Sequence, residues 1–321
     1  TASESAIVDR SGEPQLNGPS FRSNSRVWPW FMVTRPMFLL GSVALAILGT
    51  SIAWWDGSFN LSYAILAFLG LLLWHTSAHV LNEYSDFRSG IDARTRRTPF
   101  SGGSGVLPAG LLSSRSVLHL GLLLFALAIP IWTYFIVVKG LLLLPLLLAG
   151  GLCVFLYTPI LTKQRLAEVS SSIGIGMLPI LAFYFVQTGG YTVEVGLVAV
   201  ASGLLLFDVH LLAEFPDVEA DVVGGRKTLP ITLSRNGASY VYVAAGLAFY
   251  AWIATWAATG LMPRTVLFTL MTLPIYLLTV RGAFNYRDQK TFVATLWTGA
   301  VVYFLSMALL ALGYIIAGQG N

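Results

Sequence analysis

Nine long apolar segments constrain the fold of this chain more than any other feature. They cover about residues 36–55, 61–82, 115–138, 140–160, 169–188, 193–215, 236–258, 263–281 and 291–317. Crossing the hydrocarbon core of a bilayer takes about 20 helical residues. The segments are too long and too uniformly apolar for the strands of a membrane barrel. The sequence therefore predicts an all-α, polytopic membrane protein with nine transmembrane helices.

Composition agrees with this interpretation. Hydrophobic residues make up 56% of the chain and charged residues only 11%, whereas a soluble domain carries about 25% charged residues. The single cysteine, Cys153, excludes an intramolecular disulfide framework and a cysteine-based metal cluster. Residues 1–27 are polar and contain no apolar segment of the signal-peptide type. We predict that they form a disordered cytoplasmic tail, and that residues 28–317 form one transmembrane domain.

The basic residues indicate how the spans are oriented. Of the 19 lysine and arginine residues, all but Lys139 and Arg264 lie in the N-terminal segment or in the loops after spans 2, 4, 6 and 8. Cytoplasmic loops of membrane proteins carry an excess of Lys and Arg. The N-terminus and these loops are therefore predicted to be cytoplasmic, which places the C-terminus outside.

Two acidic clusters lie at the ends of spans 2 and 6. The first contains Asn82, Glu83, Asp86 and Asp92, and the second contains Glu214, Asp217, Glu219 and Asp221. Carboxylates in or beside a membrane span are costly and usually functional. Because spans 2 and 6 run in the same direction, both clusters are predicted on the cytoplasmic side. A weak repeat of a four-helix unit would place them opposite each other across a central cavity.

The spacing within the clusters predicts which side chains face this cavity. Asn82 and Asp86 are four residues apart and share a helix face. Asp92 reaches the same place only if the helix ends near Gly90, where glycine favours a C-terminal cap. In the second cluster, Glu214, Asp217 and Asp221 follow an i, i+3, i+7 pattern on one face. Glu219 points away from that face.

Carboxylates next to basic residues favour a site for a divalent metal and a polyanion. Mg²⁺ is usually held by one or two carboxylates together with substrate phosphates. The candidate phosphate-binding residues are Arg88, Lys163, Arg165, Arg226 and Lys227. The glycine-rich segment from Thr98 to Gly105 either cradles phosphate through its backbone or is a plain flexible loop. The alternative for the whole pattern is a set of solvated helix ends with paired charges.

Several other side chains are candidates for the cavity wall. The pair His75 and His79 has the spacing of a di-iron motif, but four histidines are too few for such a site. His79, His210 and Glu214 are expected to line the cavity or to form hydrogen bonds between helices. Tyr84, Tyr157 and Tyr184 either stabilise a cation through their ring faces or contribute to packing.

These motifs resemble the UbiA superfamily of intramembrane prenyltransferases over about residues 28–317. The first motif of that family corresponds to Asn82-Glu83-Tyr84-Ser85-Asp86 with Asp92, and the second to Asp217-Val218-Glu219-Ala220-Asp221. Supporting matches are Arg35-Pro36, Tyr157-Thr158-Pro159, Lys163 and Glu168. Two departures stand out: Glu83 replaces an aspartate, and Asp92 follows Asn82 by ten residues rather than eight. The longer spacing, the Gly-rich loop and the segment Gly225-Arg226-Lys227-Thr228-Leu229 look like the 1,4-dihydroxy-2-naphthoate (menaquinone) branch.

The resemblance implies an enzyme that transfers a prenyl group from an isoprenyl diphosphate to an aromatic acceptor, with no nucleic-acid partner. The implied catalytic residues are Asn82, Asp86, Asp92, Asp217 and Asp221. Two Mg²⁺ ions are implied, one held by Asn82, Glu83 and Asp86 and the other by Asp217 and Asp221. The active site would face the cytoplasm from within the cell membrane. The diphosphate would leave an allylic cation, which the acceptor carbon attacks in a water-poor cavity.

The sequence leaves three alternatives open. A terpene cyclase of the same superfamily would use the same metal motifs without an acceptor. A prenyltransferase with a non-aromatic lipid acceptor would share both motifs as well. A transporter or scaffold would be indifferent to Mg²⁺ and to the loss of Asp86 or Asp217.

Overall fold

The fold is all-helical in the computed structural model, which describes residues 26–92, 94–95 and 97–318; most of the predicted N-terminal tail lies outside these residues. The helices of the first half are α1 (Trp28–Val33), α2 (Leu40–Trp55), α3 (Leu61–Ser89), α4 (Ser114–Lys139), α5 (Leu144–Leu156), α6 (Ala167–Ser171) and α7 (Leu178–Thr188). Those of the second half are α8 (Val193–Ala213), α9 (Val218–Val223), α10 (Leu229–Thr232), α11 (Ser234–Ala258), α12 (Leu273–Phe284) and α13 (Gln289–Gly318). The prediction of an all-α architecture is confirmed over the described ranges.

Seven helical segments are long and apolar enough to cross a membrane. They are Leu61–Ser89, Ser114–Lys139, Ala167–Thr188, Val193–Val223, Ser234–Ala258, Arg264–Phe284 and Gln289–Gly318. Two shorter apolar helices, Leu40–Trp55 and Leu141–Leu156, coincide with the first and fourth predicted spans. The first of these begins at Leu40 rather than near residue 36, because Arg35 has a φ of 51° and the next residues form turns. The chain is an integral membrane protein.

Short irregular segments interrupt the regular helices, and one of them lies in the second acidic cluster. A π-helical turn, Ser172–Met177, joins α6 to α7, and a 3₁₀ turn, Phe215–Asp217, separates α8 from α9. Pro216 lies within that 3₁₀ turn and lacks an amide hydrogen to continue the α-helical pattern. The second acidic cluster therefore does not lie on the single continuous helix that its spacing predicts.

The two largest of three apolar clusters lie on either side of a cavity; the third and smallest contains Val80. The largest cluster is formed mainly by α8, α11, α12 and α13, and the second by α3, α4, α5 and α7. Helix α2 packs against both α7 and α13, and α3 packs against α4. A cavity of about 850 Å³ is lined by residues from both halves of the chain, including α3, α7, α8 and α13. A central cavity is thus present, as predicted.

Candidate active site

The polar end of the cavity is formed where α3 and α8 end. Asn82, Asp86 and Asp92 line it on one side, and Glu214, Asp217 and Asp221 line it on the other. Helix α3 ends at Ser89, and Gly90 caps it with a left-handed φ of 75°. The chain then reverses and buries Asp92, which is only 5% exposed, beside the end of the same helix. The expected turn at Gly90 is confirmed, and the structure brings both predicted motifs to one site.

Glu83 is held just behind this surface by the glycine-rich loop. The backbone N–H and the hydroxyl of Ser104 each donate a hydrogen bond of 2.7 Å to its carboxylate. The guanidinium of Arg35 lies 3.6 Å from the same carboxylate. Glu83 is 1% exposed and is not part of the cavity lining. Its observed contacts fix the loop against α3.

Gly103 is the point where the loop comes closest to the carboxylates. It has a φ of 65°, and a Cβ atom at this position would lie 3.0 Å from a carboxylate oxygen of both Asp92 and Glu83. A left-handed backbone and a close approach therefore both favour glycine here. The loop is ordered by these contacts, and Gly102 and Gly103 line the cavity.

We expect Gly103→Ala to destabilise the protein more than Gly110→Ala. Gly110 has nearly the same φ, 66°, but no atom lies within 4 Å of the position of its Cβ. Alanine at Gly110 costs about 1–2 kcal/mol for the left-handed backbone alone, and alanine at Gly103 adds roughly 1–3 kcal/mol for displaced carboxylates. Thermal unfolding of the two variants measures the difference. Equal losses would show that the loop does not press on the carboxylates.

Arg226 joins the two motifs across the cavity. Its guanidinium donates a 2.9 Å hydrogen bond to Asp221 and pairs with Asp86 as well. Burial by itself lowers the pKa of Arg226, but the charges of Asp86 and Asp221 outweigh it and hold the pKa above its ordinary value. Arg226 therefore remains a cation between two carboxylates. This ion triplet connects the first motif directly with the second.

The other basic residues are placed differently from Arg226. Arg88, Lys163, Arg165 and Lys227 are exposed and are not part of the cavity lining. Arg35, which the sequence indicates only through its match to the family next to Pro36, lines the cavity and donates a 3.2 Å hydrogen bond to Asn82. Its position just before the first span was the available signal for a site residue.

A chain of hydrogen-bonding side chains forms the wall beside the second motif. The Tyr157 hydroxyl lies 2.8 Å from Nε2 of His210, and the same nitrogen lies 3.2 Å from Oε1 of Glu214. All three residues line the cavity. Glu168, which is 1% exposed, accepts a hydrogen bond from the backbone N–H of Leu229 nearby.

The remaining aromatic candidates divide between the cavity and the packing. His79 lines the cavity, and its ring stacks on His75 at 4.7 Å. Tyr84 packs against an apolar cluster that includes Val80 and is not part of the cavity lining. The hydroxyl of Tyr184 donates a hydrogen bond to the carboxylate of Asp56, away from the acidic motifs. The structure therefore does not bring Tyr84 or Tyr184 to the site.

Three carboxylate oxygens at the site have no hydrogen-bond partner. They are Oδ2 of Asp92, Oε2 of Glu214 and Oδ1 of Asp217, all buried as atoms. Burial, with the nearby charges of Asp86 and Glu83, raises the pKa of Asp92 to about 8. Among the described residues, no three His, Cys, Asp or Glu side chains are grouped closely enough to hold a metal ion together. Unpartnered carboxylate oxygens are the donors that a hard divalent cation accepts, so the donor set fits Mg²⁺.

Glu219 lies outside the site, as the spacing predicted. Its side chain is 73% exposed and pairs with Arg235 at 2.6 Å. It is therefore a carboxylate of the second cluster that does not face the cavity.

An all-helical membrane fold with carboxylates and arginines at the polar end of an apolar cavity is suited to amphiphilic, anionic ligands. The UbiA prenyltransferase family model matches residues 42–298. The chain belongs to this family, and it is a prenyltransferase.

Known relatives support the assignment. The chain is 26% identical over 294 residues to the 1,4-dihydroxy-2-naphthoate octaprenyltransferase of Bacillus subtilis, covering 89% of this chain and 92% of that protein. It is 26% identical over 215 residues to the digeranylgeranylglyceryl phosphate synthase of Thermococcus kodakarensis, covering 65% and 70%. A solved structure of a UbiA homolog from Archaeoglobus fulgidus, bound to GPP and Mg²⁺, superposes with a TM-score of 0.60 at 13% identity, covering 90% of this chain and 99% of that one. The last comparison shows a shared fold.

Proposed function

We propose that this enzyme transfers a polyprenyl group from an isoprenyl diphosphate to an aromatic acceptor of the 1,4-dihydroxy-2-naphthoate type, as a step of menaquinone biosynthesis. The observation that supports it best is the convergence of both carboxylate motifs on Arg226 at the polar end of an apolar cavity. The Bacillus subtilis relative, which the chain matches over most of its length, has this acceptor in its name.

The proposed metal ligands are Asn82 and Asp86 on one side of the cavity and Asp217 and Asp221 on the other. Two Mg²⁺ ions agree with two carboxylate motifs, and the structure of the Archaeoglobus fulgidus homolog was obtained with GPP and Mg²⁺. When bound, Mg²⁺ would neutralise negative charge that develops on the departing diphosphate. Glu83 holds the glycine-rich loop in place in this proposal, one step behind the ligands.

The protein's own groups bind and orient the substrates. Arg226 and Arg35 line the cavity and supply donors for the outer phosphate oxygens. Arg88, Lys163, Arg165 and Lys227 lie at the surface of the same region, where they would attract the anionic donor before it binds. The ring of Tyr157 faces the cavity and can stabilise an allylic cation through its π-face.

The apolar part of the cavity protects the reaction from water. Trp74, Leu147 and Val301 belong to this lining. An allylic cation formed there would meet the acceptor carbon before water, because the site excludes solvent. The new carbon–carbon bond would replace the carbon–oxygen bond to diphosphate. A naphthoate acceptor would also lose CO₂ as it takes the prenyl group.

The topology follows from the same proposal. We infer nine membrane crossings, with the two short helices Leu40–Trp55 and Leu141–Leu156 completing the seven long ones. Sixteen residues of α2 measure only about 24 Å, so this helix would cross with its ends near the interfaces. The basic loops then place the N-terminus and the carboxylate motifs on the cytoplasmic side.

A second candidate is prenyl transfer to a glyceryl phosphate lipid. The similarity to the digeranylgeranylglyceryl phosphate synthase of Thermococcus kodakarensis favours it. This acceptor would bring its own phosphate, and the cavity-lining cations Arg35 and Arg226 would then be shared between the phosphates of donor and acceptor.

The test is an assay of purified protein with Mg²⁺ and geranylgeranyl diphosphate. Parallel reactions contain 1,4-dihydroxy-2-naphthoate, a geranylgeranylglyceryl phosphate acceptor, or no acceptor, and products are identified by mass. We expect a prenylated naphthoquinol only with the naphthoate. Product with the glycerol lipid alone would establish the second candidate, and a hydrocarbon or terpene alcohol without acceptor would identify a cyclase. Absence of turnover and of Mg²⁺-dependent donor binding would refute the enzyme proposal.

A further inference from the structure

A second cavity lies at the other end of the same helices. It has a volume of about 530 Å³ and is lined by parts of α2, α3 and α13 and by Phe59 and Phe183. Its polar lining consists of the hydroxyl groups of Thr50 and Ser51, and Ser51 already bonds to the carbonyl of Leu48. We call it the outer groove. An apolar chain is the ligand that such a lining accepts.

The outer groove and the reaction cavity follow one continuous stripe of α3. Leu61, Ala64, Ile65 and Phe68 line the groove, and the stripe continues in the reaction cavity through Leu71, Trp74, His75, Ala78, His79, Asn82 and Asp86. Leu61 and Asp86 are separated by about seven helical turns at 3.6 residues per turn, so they share one face. The two cavities are therefore consecutive sections of one path along α3.

Helix α2 repeats the same arrangement. Leu40 and Gly41 line the reaction cavity, and the outer groove continues the stripe through Val43, Ala46, Ile47, Thr50, Ser51 and Trp54. These positions recur every three or four residues, as one face of a helix does. The path between the cavities is thus bounded by α2 on one side and α3 on the other.

Phe183 on α7 separates the two cavities. Within the described part of the chain, it is the one residue that lines both of them. Its side chain is fully buried and packs in the cluster that contains Trp132 and Leu147. Helix α2 packs directly on α7 at Gly49, where a Cβ atom would lie 2.6 Å from the Cβ of Phe183 and 3.0 Å from the carbonyl oxygen of Ile180. The side chain of Phe183 and this helix contact together close the path.

The length of the reaction cavity limits how much of a prenyl tail it holds. Leu71 and Asn82 lie roughly 16 Å apart along α3, at 1.5 Å per residue. Each isoprene unit adds four carbon–carbon bonds to the chain, roughly 5 Å when extended, since such bonds measure about 1.5 Å. About three to four units therefore fit between the carboxylates and Phe183. A longer tail must leave the cavity.

We propose that the outer groove binds the distal isoprene units of long polyprenyl donors, and that Phe183 is the specificity-determining residue that admits them. This inference rests on the proposed prenyl diphosphate donor. The alternative exit lies between α2 and α13, where Leu40, Val301 and Leu305 line the reaction cavity and are exposed to the surrounding lipid.

The experiment is an internal competition between geranylgeranyl and octaprenyl diphosphates at equal concentration, with Mg²⁺ and 1,4-dihydroxy-2-naphthoate. The ratio of the two products, read by mass, reports the ratio of kcat/KM values and does not depend on the amount of folded protein. Phe183→Trp places a larger ring between the two cavities, and Ala64→Trp places a bulky side chain in the outer groove. We expect each to lower the octaprenyl share relative to geranylgeranyl by about tenfold or more, because pocket shape discriminates on this scale.

Two control variants locate the path. Leu69 also lies on α3, is 46% exposed and lines neither cavity. Leu69→Trp should therefore leave the product ratio unchanged. Leu305→Trp narrows the opening between α2 and α13 and tests the alternative exit; it should lower the octaprenyl share less than Phe183→Trp does. Three outcomes would overturn the groove assignment: an unchanged product ratio in both Phe183→Trp and Ala64→Trp, a loss of octaprenyl product confined to Leu305→Trp, or a wild-type enzyme that rejects octaprenyl diphosphate. In each case the geranylgeranyl product would still uphold the proposed function. Wild-type protein that prenylates with neither donor would overturn both.

Discussion

Replacing Asp217 by asparagine is expected to lower kcat/KM about 10³-fold while leaving the thermal unfolding temperature nearly unchanged. A metal ligand that stabilises charge in the transition state contributes several kcal/mol, and each factor of ten corresponds to about 1.4 kcal/mol. Asp217 makes no ion pair among the described residues, and its Oδ1 atom has no hydrogen-bond partner. The fold therefore does not depend on its charge, whereas the proposed chemistry does.

The matched control is Glu219→Gln, two residues further along the chain. Glu219 belongs to the same acidic cluster but is exposed and pairs with Arg235. Surface ion pairs contribute little, about 0–1 kcal/mol, so this variant should retain activity and stability. Steady-state kinetics and thermal unfolding of both variants check the prediction. Full activity in Asp217→Asn, or an equal loss of activity in Glu219→Gln, would contradict the assigned ligand.

The helical fold was predictable because the bilayer imposes one length and one kind of structure on every span. Within the described part of the chain, hydropathy located the seven long apolar helices and the two shorter ones. It did not place the start of α2 at Leu40 or the break at Phe215–Asp217, because both depend on single backbone features rather than on average hydrophobicity. The turn after α3 was predictable, since Gly90 is a local signal for a left-handed cap.

The carboxylates of the candidate site were easier to predict than its cations. An acidic residue near a membrane span is rare, so its presence is informative. A basic residue in a cytoplasmic loop is common, because the same residues orient the protein in the membrane. Sequence alone therefore did not distinguish the half-buried Arg226 from its exposed neighbour Lys227. The role of Ser104 in binding Glu83 was also missed, since it depends on how the glycine-rich loop folds back onto α3.

Arg226→Leu is expected to destabilise the Mg²⁺-free protein by roughly 3–5 kcal/mol, because removing one partner leaves buried charges unpaired. Asp86 and Asp221, which are 8% and 1% exposed, would then lie opposite each other without a cation. Thermal unfolding in detergent with a chelator measures this loss. Arg88→Leu is the control, because Arg88 is exposed at the end of α3 and its replacement should change the unfolding temperature little.

Mg²⁺ should then stabilise Arg226→Leu more than it stabilises the wild-type protein. In the wild type, Mg²⁺ must bind to carboxylates that Arg226 already neutralises. In the variant, Asp86 and Asp221 have lost that partner, so Mg²⁺ meets no competing charge. A ligand that binds only the folded state stabilises it by about 2.7 kcal/mol when the ligand concentration is 100 times the dissociation constant. A titration of the unfolding temperature with Mg²⁺ separates the two proteins. Equal Mg²⁺ responses would mean that the metal does not use Asp86 and Asp221. A larger response in Arg226→Leu would show that the divalent cation uses Asp86 and Asp221, the two carboxylates that Arg226 pairs with.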